Sequence, residues 1–326
     1  MATKTSTKTS LAKFKKYRVK RKDSKAKIRG FSILVYGETG IGKTVGMIDI
    51  ARELNEIQER DCIVISTEGQ KTANNVDQYC QVYTDFNPIV IELKAKETVW
   101  GRVDHLRQII DEINKEIRRT PNAKFTIILD SATDIWEDLI DWMTYSPEIQ
   151  RQKITTTLPD GTKETSYGPM PTEWRKPRKK FNDILKDLTQ NQNILLLFSA
   201  RPRLNREYES VGALLDSKNF GQHFATVILK GAFKDKKKGR TWTLEKLDML
   251  AKGKKGRLVG WAASKKKRVG GYLSLTNVIK LGEASMGVDL MMFLEKTDTI
   301  PDSTLESEVT EDKSKNSSDV RSSDSG

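Results

Sequence analysis

The stretch FSILVYGETGIGKT at residues 31–44 decides the fold. Its apolar, β-prone first half predicts a strand at residues 31–36. The following eight residues fit G-x-x-x-x-G-K-[ST], the phosphate-binding loop, at every fixed position; they are Gly37, Glu38, Thr39, Gly40, Ile41, Gly42, Lys43 and Thr44. In such a loop, backbone N–H groups and the start of the next helix surround the phosphates. Lys43 is expected to neutralise phosphate charge and Thr44 to bind Mg²⁺, which predicts ATP and Mg²⁺ as ligands.

Composition limits the partners. The formal charge of the 326 residues is +13, which favours a polyanion such as nucleic acid or an anionic membrane. The longest apolar run, residues 194–198, is too short to cross a bilayer, and the basic N-terminus lacks the apolar core of a secretory signal. Cys62 and Cys80 have no metal-ligand spacing and are interpreted as reduced thiols. We therefore expect a cytoplasmic protein with no membrane partner.

Charge also divides the chain. Residues 1–29 contain twelve Lys and Arg against one acid, which predicts a flexible basic arm. This arm either contacts nucleic acid or is only a solubilising or targeting tail. Residues 295–326 contain nine acids, four bases and almost no apolar side chains, which predicts a disordered acidic tail. One domain is expected between them, at residues 30–294.

Strands and helices alternate along this central region. Apolar runs predict strands at residues 62–66, 89–93, 125–131 and 193–201, and helical periodicity predicts helices at residues 44–58, 99–118 and 181–188. This alternation indicates an α/β fold with a doubly wound, mostly parallel sheet. Residues 223–230 and 241–250 are expected to add an antiparallel pair, with a further edge strand at 271–276. Residues 142–177 and 202–219 are polar stretches for which no further strand or helix is predicted.

Two carboxylates follow predicted strands. Asp130 ends an apolar strand about 90 residues after the phosphate-binding loop, as the Mg²⁺-side Asp of a Walker B strand does. Glu68 follows the strand after the loop's helix. Because parallel strands end at the same edge of a sheet, Glu68, Asp130 and Lys43 should meet there. Glu68 is then a candidate to polarise the attacking water. GTPases are excluded by the lack of an N-K-x-D motif, and no arginine-rich lid of a small-molecule kinase is apparent.

The series GETGIGKT, ISTEG, FTIILDSATDIW and NILLLFSAR resembles the motif series of RecA-like recombinase ATPases over about residues 31–280. More narrowly, it resembles phage and archaeal-virus RecA-like ATPases of recombination and single-strand annealing. The resemblance implies that Glu68 is the catalytic base, Asp130 the Mg²⁺-side carboxylate and Arg201 the sensor, although an amide is usual at that position. It also implies that Lys246 reaches a neighbour's γ-phosphate.

The same resemblance implies partners. The two polar stretches fall where RecA-like proteins have DNA-binding loops, so single-stranded DNA is the expected ligand of a homo-oligomeric ring or filament, with single-strand-binding or replication proteins as further partners. Lysine clusters at residues 234–238, 252–257 and 265–268 either assist DNA binding or only keep hairpin tips soluble. Tyr167, Trp174 and Trp242 either stack on bases or pack normally. The alternatives are a packaging or helicase motor, and a nucleotide-gated DNA-binding module with little turnover.

Overall fold

The computed structural model describes residues 31–94, 101–157, 159–204, 210–215, 224–234, 239–247, 251–252, 258–259 and 268–286. All of these belong to one compact unit of the chain, Met1–Leu290. The predicted arm at residues 1–29 and the predicted tail at residues 295–326 lie outside the described residues. The proposed division of the chain therefore stays a prediction.

The described chain alternates strands and helices. Its helices are α1 (Lys43–Gln58), α2 (Gln70–Val82), α3 (Gly101–Arg119), α4 (Ala132–Tyr145), α5 (Arg175–Thr189) and α6 (Leu275–Met286). Its strands are β1 (Ser32–Gly37), β2 (Asp61–Ser66), β3 (Ile89–Glu92), β4 (Phe125–Asp130), β5 (Arg151–Thr157), β6 (Lys163–Pro169), β7 (Ile194–Ala200), β8 (Pro202–Leu204), β9 (Ser210–Ala213), β10 (Val227–Phe233), β11 (Arg240–Leu247), β12 (Ala251–Lys252), β13 (Leu258–Val259) and β14 (Arg268–Gly270).

Eight strands form the central sheet, in the order β14-β11-β10-β1-β7-β4-β2-β3. The strands β10, β1, β7, β4, β2 and β3 pair in parallel, whereas β11 pairs antiparallel with both β10 and β14. The predicted α/β class, with a doubly wound, mostly parallel sheet and antiparallel strands added on the C-terminal side, is confirmed. We call β10, β11, β14 and the loop 271–274 the antiparallel extension.

Burial explains why the central strands are unbroken apolar runs. Every residue of β1, β4 and β7 is buried. Alternate strand residues point to opposite faces, and one face packs against α3, α4 and α5 through Leu106, Leu139 and Phe181. A strand covered on both faces has no solvent side on which polar residues would alternate. The parallel core could therefore be predicted from sequence.

One polar segment for which no strand was predicted forms a hairpin, and one predicted edge strand is wrong. Residues 142–177 contain a hairpin of β5 and β6, joined around the Asp160-Gly161 turn, in which Gly161 has a φ of +83°. Residues 271–276 are not an edge strand: Gly271 has a φ of +100°, and Ser274 accepts from the Asn277 N–H at the start of α6. A serine at that position favours the start of a helix over a strand.

Candidate functional site

The predicted site residues lie at the ends of parallel strands. The loop 37–44 follows β1, Glu68 follows β2, Asp130 ends β4, and Arg201 follows β7. Because these strands run in the same direction, their carboxyl ends form one edge of the sheet. Side chains that are 25 to 160 residues apart in the chain therefore line a single cavity, of about 280 Å³.

The phosphate-binding loop curls between β1 and α1. Gly40 and Gly42 have φ values of +83° and +96°, which favour glycine because a side chain there is strained. Lys43 lies inside the curl, where its Nζ donates to the carbonyl oxygens of Gly37 at 2.9 Å and Glu38 at 3.1 Å. The first amides of α1 have no acceptor within the helix and are available to an anion.

Asp130 is the most buried ionisable side chain of this cavity, with 2% of its surface exposed. It accepts hydrogen bonds from the Thr44 hydroxyl at 2.6 Å and the Ser199 hydroxyl at 2.5 Å, and Thr72 lies 3.4 Å away. Carboxylate and hydroxyl oxygens are the ligands that Mg²⁺ prefers. The pair Thr44 and Asp130 thus fits the predicted metal site.

Burial shifts the pKa values of the two central charged groups, Asp130 and Lys43, in opposite directions. It raises the pKa of the Asp130 carboxyl, and the hydrogen bonds from Ser199 and Thr44 offset only part of that rise. Burial also lowers the pKa of the Lys43 ammonium, which the charges of Asp130 and Glu68 partly counteract. Both groups lose hydration in this cavity, so a cation beside Asp130 and an anion beside Lys43 would each favour the charged form of its neighbour.

Glu68 lies at the rim of the cavity. Its backbone N–H donates to the Ser66 hydroxyl at 3.1 Å, and its Oε2 accepts from Lys71 Nζ at 2.5 Å. Because Lys71 lies in the first turn of α2 and 66% of its side chain is exposed, this pair is solvated and weak. The other carboxylate oxygen, Oε1, remains available to a water in the cavity.

Arg201 is attached to α4. Its guanidinium pairs with the carboxylate of Asp134 and lies 3.1 Å from Glu137, and its backbone N–H donates to the Thr133 hydroxyl at 2.9 Å. About half of the side chain is exposed, and it lines the same cavity as Lys43. The predicted sensor residue therefore links the cavity to the helix that follows Asp130.

Lys246 does not join this cavity. It faces Ile228 near the start of β10, and its Nζ donates to the Ala225 carbonyl at 3.0 Å. The strand β11 runs away from the loop edge, so Lys246 lies near the opposite edge from this chain's own loop. The expectation that it reaches a neighbour's γ-phosphate stays a prediction.

Several lining residues were not predicted. Ser199 is a lone hydroxyl near the end of the apolar run ILLLFSA, and this polar break was a usable signal. Lys71 and Asn75 belong to α2, whose buried residues are only Thr72 and Val76, so it shows no apolar stripe. Arg240 reaches the cavity from β11, almost 200 residues after the loop, and no local pattern marks it.

The polar stretch after α4 presents an exposed surface. All residues of β5 are exposed, and Tyr167 on β6 is 70% exposed. Just beyond, five bases occupy six positions at the start of α5, at residues 175–180. Cations there oppose the helix dipole, and Glu173 pairs with Lys176 at 2.5 Å. We call β5, β6 and residues 170–180 the basic hairpin surface.

The other expected nucleic-acid contacts differ in outcome. Residues 202–204 and 210–213 form the short hairpin of β8 and β9, while residues 205–209 and 216–219 lie outside the described chain. Most of the lysine clusters also lies outside it. Trp242 is completely buried against Gly231, next to Ile41 of the phosphate-binding loop, so of its two alternatives normal packing is confirmed and base stacking is excluded. Trp174 is partly buried against Trp142.

Known proteins that are similar to this chain come from three comparisons. The family model described as "AAA domain" matches residues 29–211, more than half of the chain. No curated protein matches. Among solved structures, a KaiC-like protein of the hyperthermophilic archaeon Pyrococcus horikoshii OT3 is similar, with 12% sequence identity, a TM-score of 0.41, and coverage of 74% of this chain and 85% of that chain. Among the described residues, no helix combines the length and apolar character needed to cross a bilayer.

Proposed function

The chain belongs to the AAA domain family, and from that premise we propose that it hydrolyses ATP and couples hydrolysis to single-stranded DNA. One observation carries the ATPase assignment: Lys43, Thr44, Asp130 and Glu68 line one cavity at the end of the parallel strands. Nothing in that geometry requires a second chain for nucleotide binding. The narrower likeness to phage and archaeal-virus recombination ATPases remains part of the proposal.

The residues divide the chemistry among them. Lys43 exchanges the carbonyl oxygens of Gly37 and Glu38 for phosphate oxygens. Thr44 and Asp130 would hold Mg²⁺, which supplies positive charge to the phosphates. Glu68 accepts through Oε1 a proton from a water that attacks the γ-phosphorus in line. The bond between that phosphorus and the ADP oxygen breaks as the new P–O bond forms.

Coupling to DNA is supported by the path of α4. This helix begins two residues after Asp130, holds Arg201 through Asp134 and Glu137, and ends six residues before β5 of the basic hairpin surface begins. The hairpin itself has a net charge of only +1, from three bases and two acids over residues 151–169. The charge that would attract phosphates comes mainly from residues 175–180, while exposed Tyr167 offers a face for a base.

The decisive experiment measures ATP hydrolysis with no nucleic acid, single-stranded DNA, duplex DNA and RNA, side by side. Single-stranded DNA should raise the rate most, and Lys43→Ala and Glu68→Gln should abolish it. The matched controls are Lys115→Ala and Glu112→Gln, which remove an exposed lysine and glutamate of α3 that pair with each other. A rate that is indifferent to both site variants would refute the ATPase assignment.

The nucleic-acid part has its own test. Deleting residues 1–28 should flatten the dependence of log K for DNA on log salt, because each lost phosphate contact reduces the slope by about 0.7 for a single strand. An unchanged slope would show that the arm does not contact phosphates. Charge reversal within residues 175–180 should also lower the slope if the basic hairpin surface holds the strand.

Two alternatives predict other outcomes. A packaging or helicase motor must displace a strand directionally, so failure to unwind any forked duplex would count against it. A nucleotide-gated DNA-binding module survives only if annealing persists in Glu68→Gln with ATP bound. A homo-oligomeric ring or filament and contacts with single-strand-binding or replication proteins belong to the first proposal, with Lys246 as the candidate contact to a neighbour.

A further inference from the structure

Arg240 lies beside the phosphate-binding loop, on the side away from the catalytic carboxylates. A Cβ atom built on Gly42 would lie 3.8 Å from both Cζ and Nη1 of Arg240, and Arg240 lines the same cavity as Lys43. It belongs to β11, in the antiparallel extension, which lies beyond the residues that match the AAA domain. This basic side chain thus reaches the loop from a part of the chain to which the family comparison assigns nothing.

The guanidinium is held in place by an aromatic ring. Cζ of Arg240 lies 4.4 Å from the ring centroid of Tyr272, and the Gly271 N–H donates to the Arg240 carbonyl at 3.0 Å. Among the described residues, no carboxylate forms an ion pair with Arg240. A cation stacked on a ring keeps its hydrogen-bond donors free, since they lie in the guanidinium plane. Arg240 is therefore oriented without being neutralised.

The extension is fixed to the loop by two close approaches. Gly37, Gly231 and Trp242 lie side by side in β1, β10 and β11, and a Cβ on Gly231 would lie 2.6 Å from the Trp242 ring and 3.1 Å from Ile41. A Cβ on Gly46, in the first turn of α1, would lie 2.4 Å from Cβ of Leu273, the neighbour of Tyr272. Both halves of the Arg240–Tyr272 pair are thus tied to the phosphate-binding loop.

Sheet order tells which phosphates Arg240 faces. Asp130 is on β4 and Glu68 follows β2, two and three strands from β1 on one side, so the γ-phosphate lies toward them. Arg240 is on β11, two strands from β1 on the other side. A polyphosphate that crosses the loop from the catalytic side must therefore extend toward Arg240 with its α- and β-phosphates.

Beyond Arg240 the surface continues as a groove of about 960 Å³, also lined by Lys230, Arg268 and the exposed ring of Tyr272. We propose that Arg240 binds the α- and β-phosphates of the nucleotide from within the same chain, and that this groove receives the ribose and base. The inference rests on the proposed function only in requiring that a nucleoside triphosphate binds at Lys43. It gives the antiparallel extension a role in nucleotide binding.

A nucleic-acid strand is the competing occupant of the groove, because cations and an aromatic ring suit it as well. The nucleoside is favoured because the groove and the phosphate cavity share Arg240 as a wall. The groove also contains the Glu245 carboxylate, which accepts from the buried Tyr36 hydroxyl and would repel a strand of phosphates. A neutral ribose and base tolerate that carboxylate.

The test compares dissociation constants of the full chain for Mg²⁺-ADP and Mg²⁺-ATP by calorimetry, with Glu68→Gln as the background for ATP. Arg240→Ala should weaken both nucleotides about tenfold, the size expected for one charge-assisted hydrogen bond. Lys115→Ala, which removes an exposed lysine that lines neither the groove nor the phosphate cavity, is the control and should weaken neither nucleotide. Tyr272→Phe keeps the ring and should retain affinity, whereas Tyr272→Ala should lose part of it. Urea unfolding of each variant checks that it is folded.

Each other outcome overturns the inference in a recognisable way. Unchanged affinity in Arg240→Ala shows that the residue does not contact the nucleotide, and weaker ATP with unchanged ADP moves the contact to the γ-phosphate. If nucleotide affinity is unchanged and single-stranded DNA binding is weaker, the groove binds nucleic acid and not the nucleoside. If the unaltered chain binds no nucleotide, the proposed function fails as well; in the other three cases it stands.

Discussion

Replacing Asp130 by Asn should stabilise the nucleotide-free protein and abolish its response to Mg²⁺-nucleotide. The Asp130 carboxylate is buried; its Oδ1 accepts from the Ser199 hydroxyl and its Oδ2 from the Thr44 hydroxyl, with the Thr72 hydroxyl a more distant donor at 3.4 Å. Asn has the same shape, and a hydroxyl can rotate from donor to acceptor to suit the amide NH₂. The substitution therefore removes a buried charge while the packing and both hydrogen bonds remain.

The sign follows from the causes of the pKa shift. Burial is the largest cause and raises the pKa of Asp130 above the ordinary value of 3.8, and the positive charge of Lys43 is the smallest of the opposing contributions. Lys43 donates to Gly37 and Glu38 instead of Asp130, so the carboxylate has no direct cationic partner. A raised folded-state pKa means that the ionised form destabilises the fold at neutral pH. We expect Asp130→Asn to raise the free energy of unfolding by about 1–3 kcal/mol.

The pH dependence is equally specific. The unfavourable contribution of ionised Asp130 is complete above its folded-state pKa and vanishes below its unfolded value of 3.8. The advantage of the Asn variant should therefore be largest at the highest pH and shrink as the pH falls through the raised folded-state pKa of Asp130. Protonated Asp130 is neutral like Asn, so the two proteins should converge in acid.

Urea unfolding measures the free energy of unfolding of both proteins in EDTA from pH 7.5 to pH 5, and again at pH 7.5 with Mg²⁺-ADP. Ligand at 100 times its dissociation constant should add about 2.7 kcal/mol to the unaltered protein and almost nothing to Asp130→Asn. Asp111→Asn, an exposed carboxylate of α3, is the control and should stay within about 0.5 kcal/mol. A variant that is less stable in EDTA at pH 7.5, or whose advantage does not shrink in acid, would refute the reasoning.

Three further predictions concern other parts of the molecule. Gly231→Ala should lower the free energy of unfolding by about 1–3 kcal/mol because its Cβ would lie 2.6 Å from the Trp242 ring, whereas Gly270→Ala, with 3.8 Å of room, should change it little in the same urea titration. Arg201→Ala should lower the rate of ATP hydrolysis about 100-fold and leave Mg²⁺-ADP affinity unchanged, and weaker ADP binding would contradict a sensor role. Tyr167→Ala should weaken single-stranded DNA binding about tenfold by fluorescence anisotropy; equal affinity would exclude stacking at that ring.

The parallel core was predictable because a strand that is buried on both faces appears in the sequence as an unbroken apolar run. The strands before the phosphate-binding loop, Glu68, Asp130 and Arg201 are short apolar runs, and each ends in a polar or glycine-rich turn. The order of these runs was enough to place Lys43, Glu68 and Asp130 at one edge, and the resemblance to RecA-like ATPases added Arg201. Only their contacts, such as the attachment of Arg201 to Asp134, required the coordinates.

Polar helices and strands show no such pattern in the sequence. The helix α2 buries only Thr72 and Val76, and β5 is exposed throughout, so neither has an apolar periodicity. The turn at Asp160-Gly161 was visible, but exposed strands of Thr and Lys beside it resemble loop sequence. At residues 271–276, the aromatic and leucine content suggested a strand, while the serine cap and a glycine with positive φ begin a helix.

The sequence by itself determined that the chain binds a triphosphate on a mostly parallel sheet, because the loop motif and the apolar periodicity are local properties of the chain. Tertiary structure alone decided that Arg240 faces Gly42 and that Lys246 lies near the opposite edge. Both are single basic residues on the same strand, and no local pattern distinguishes them. Their positions depend on the direction of β11 and on the close contact of Gly231 with Trp242. These features place β11 beside the loop, although the two are about 200 residues apart in the chain.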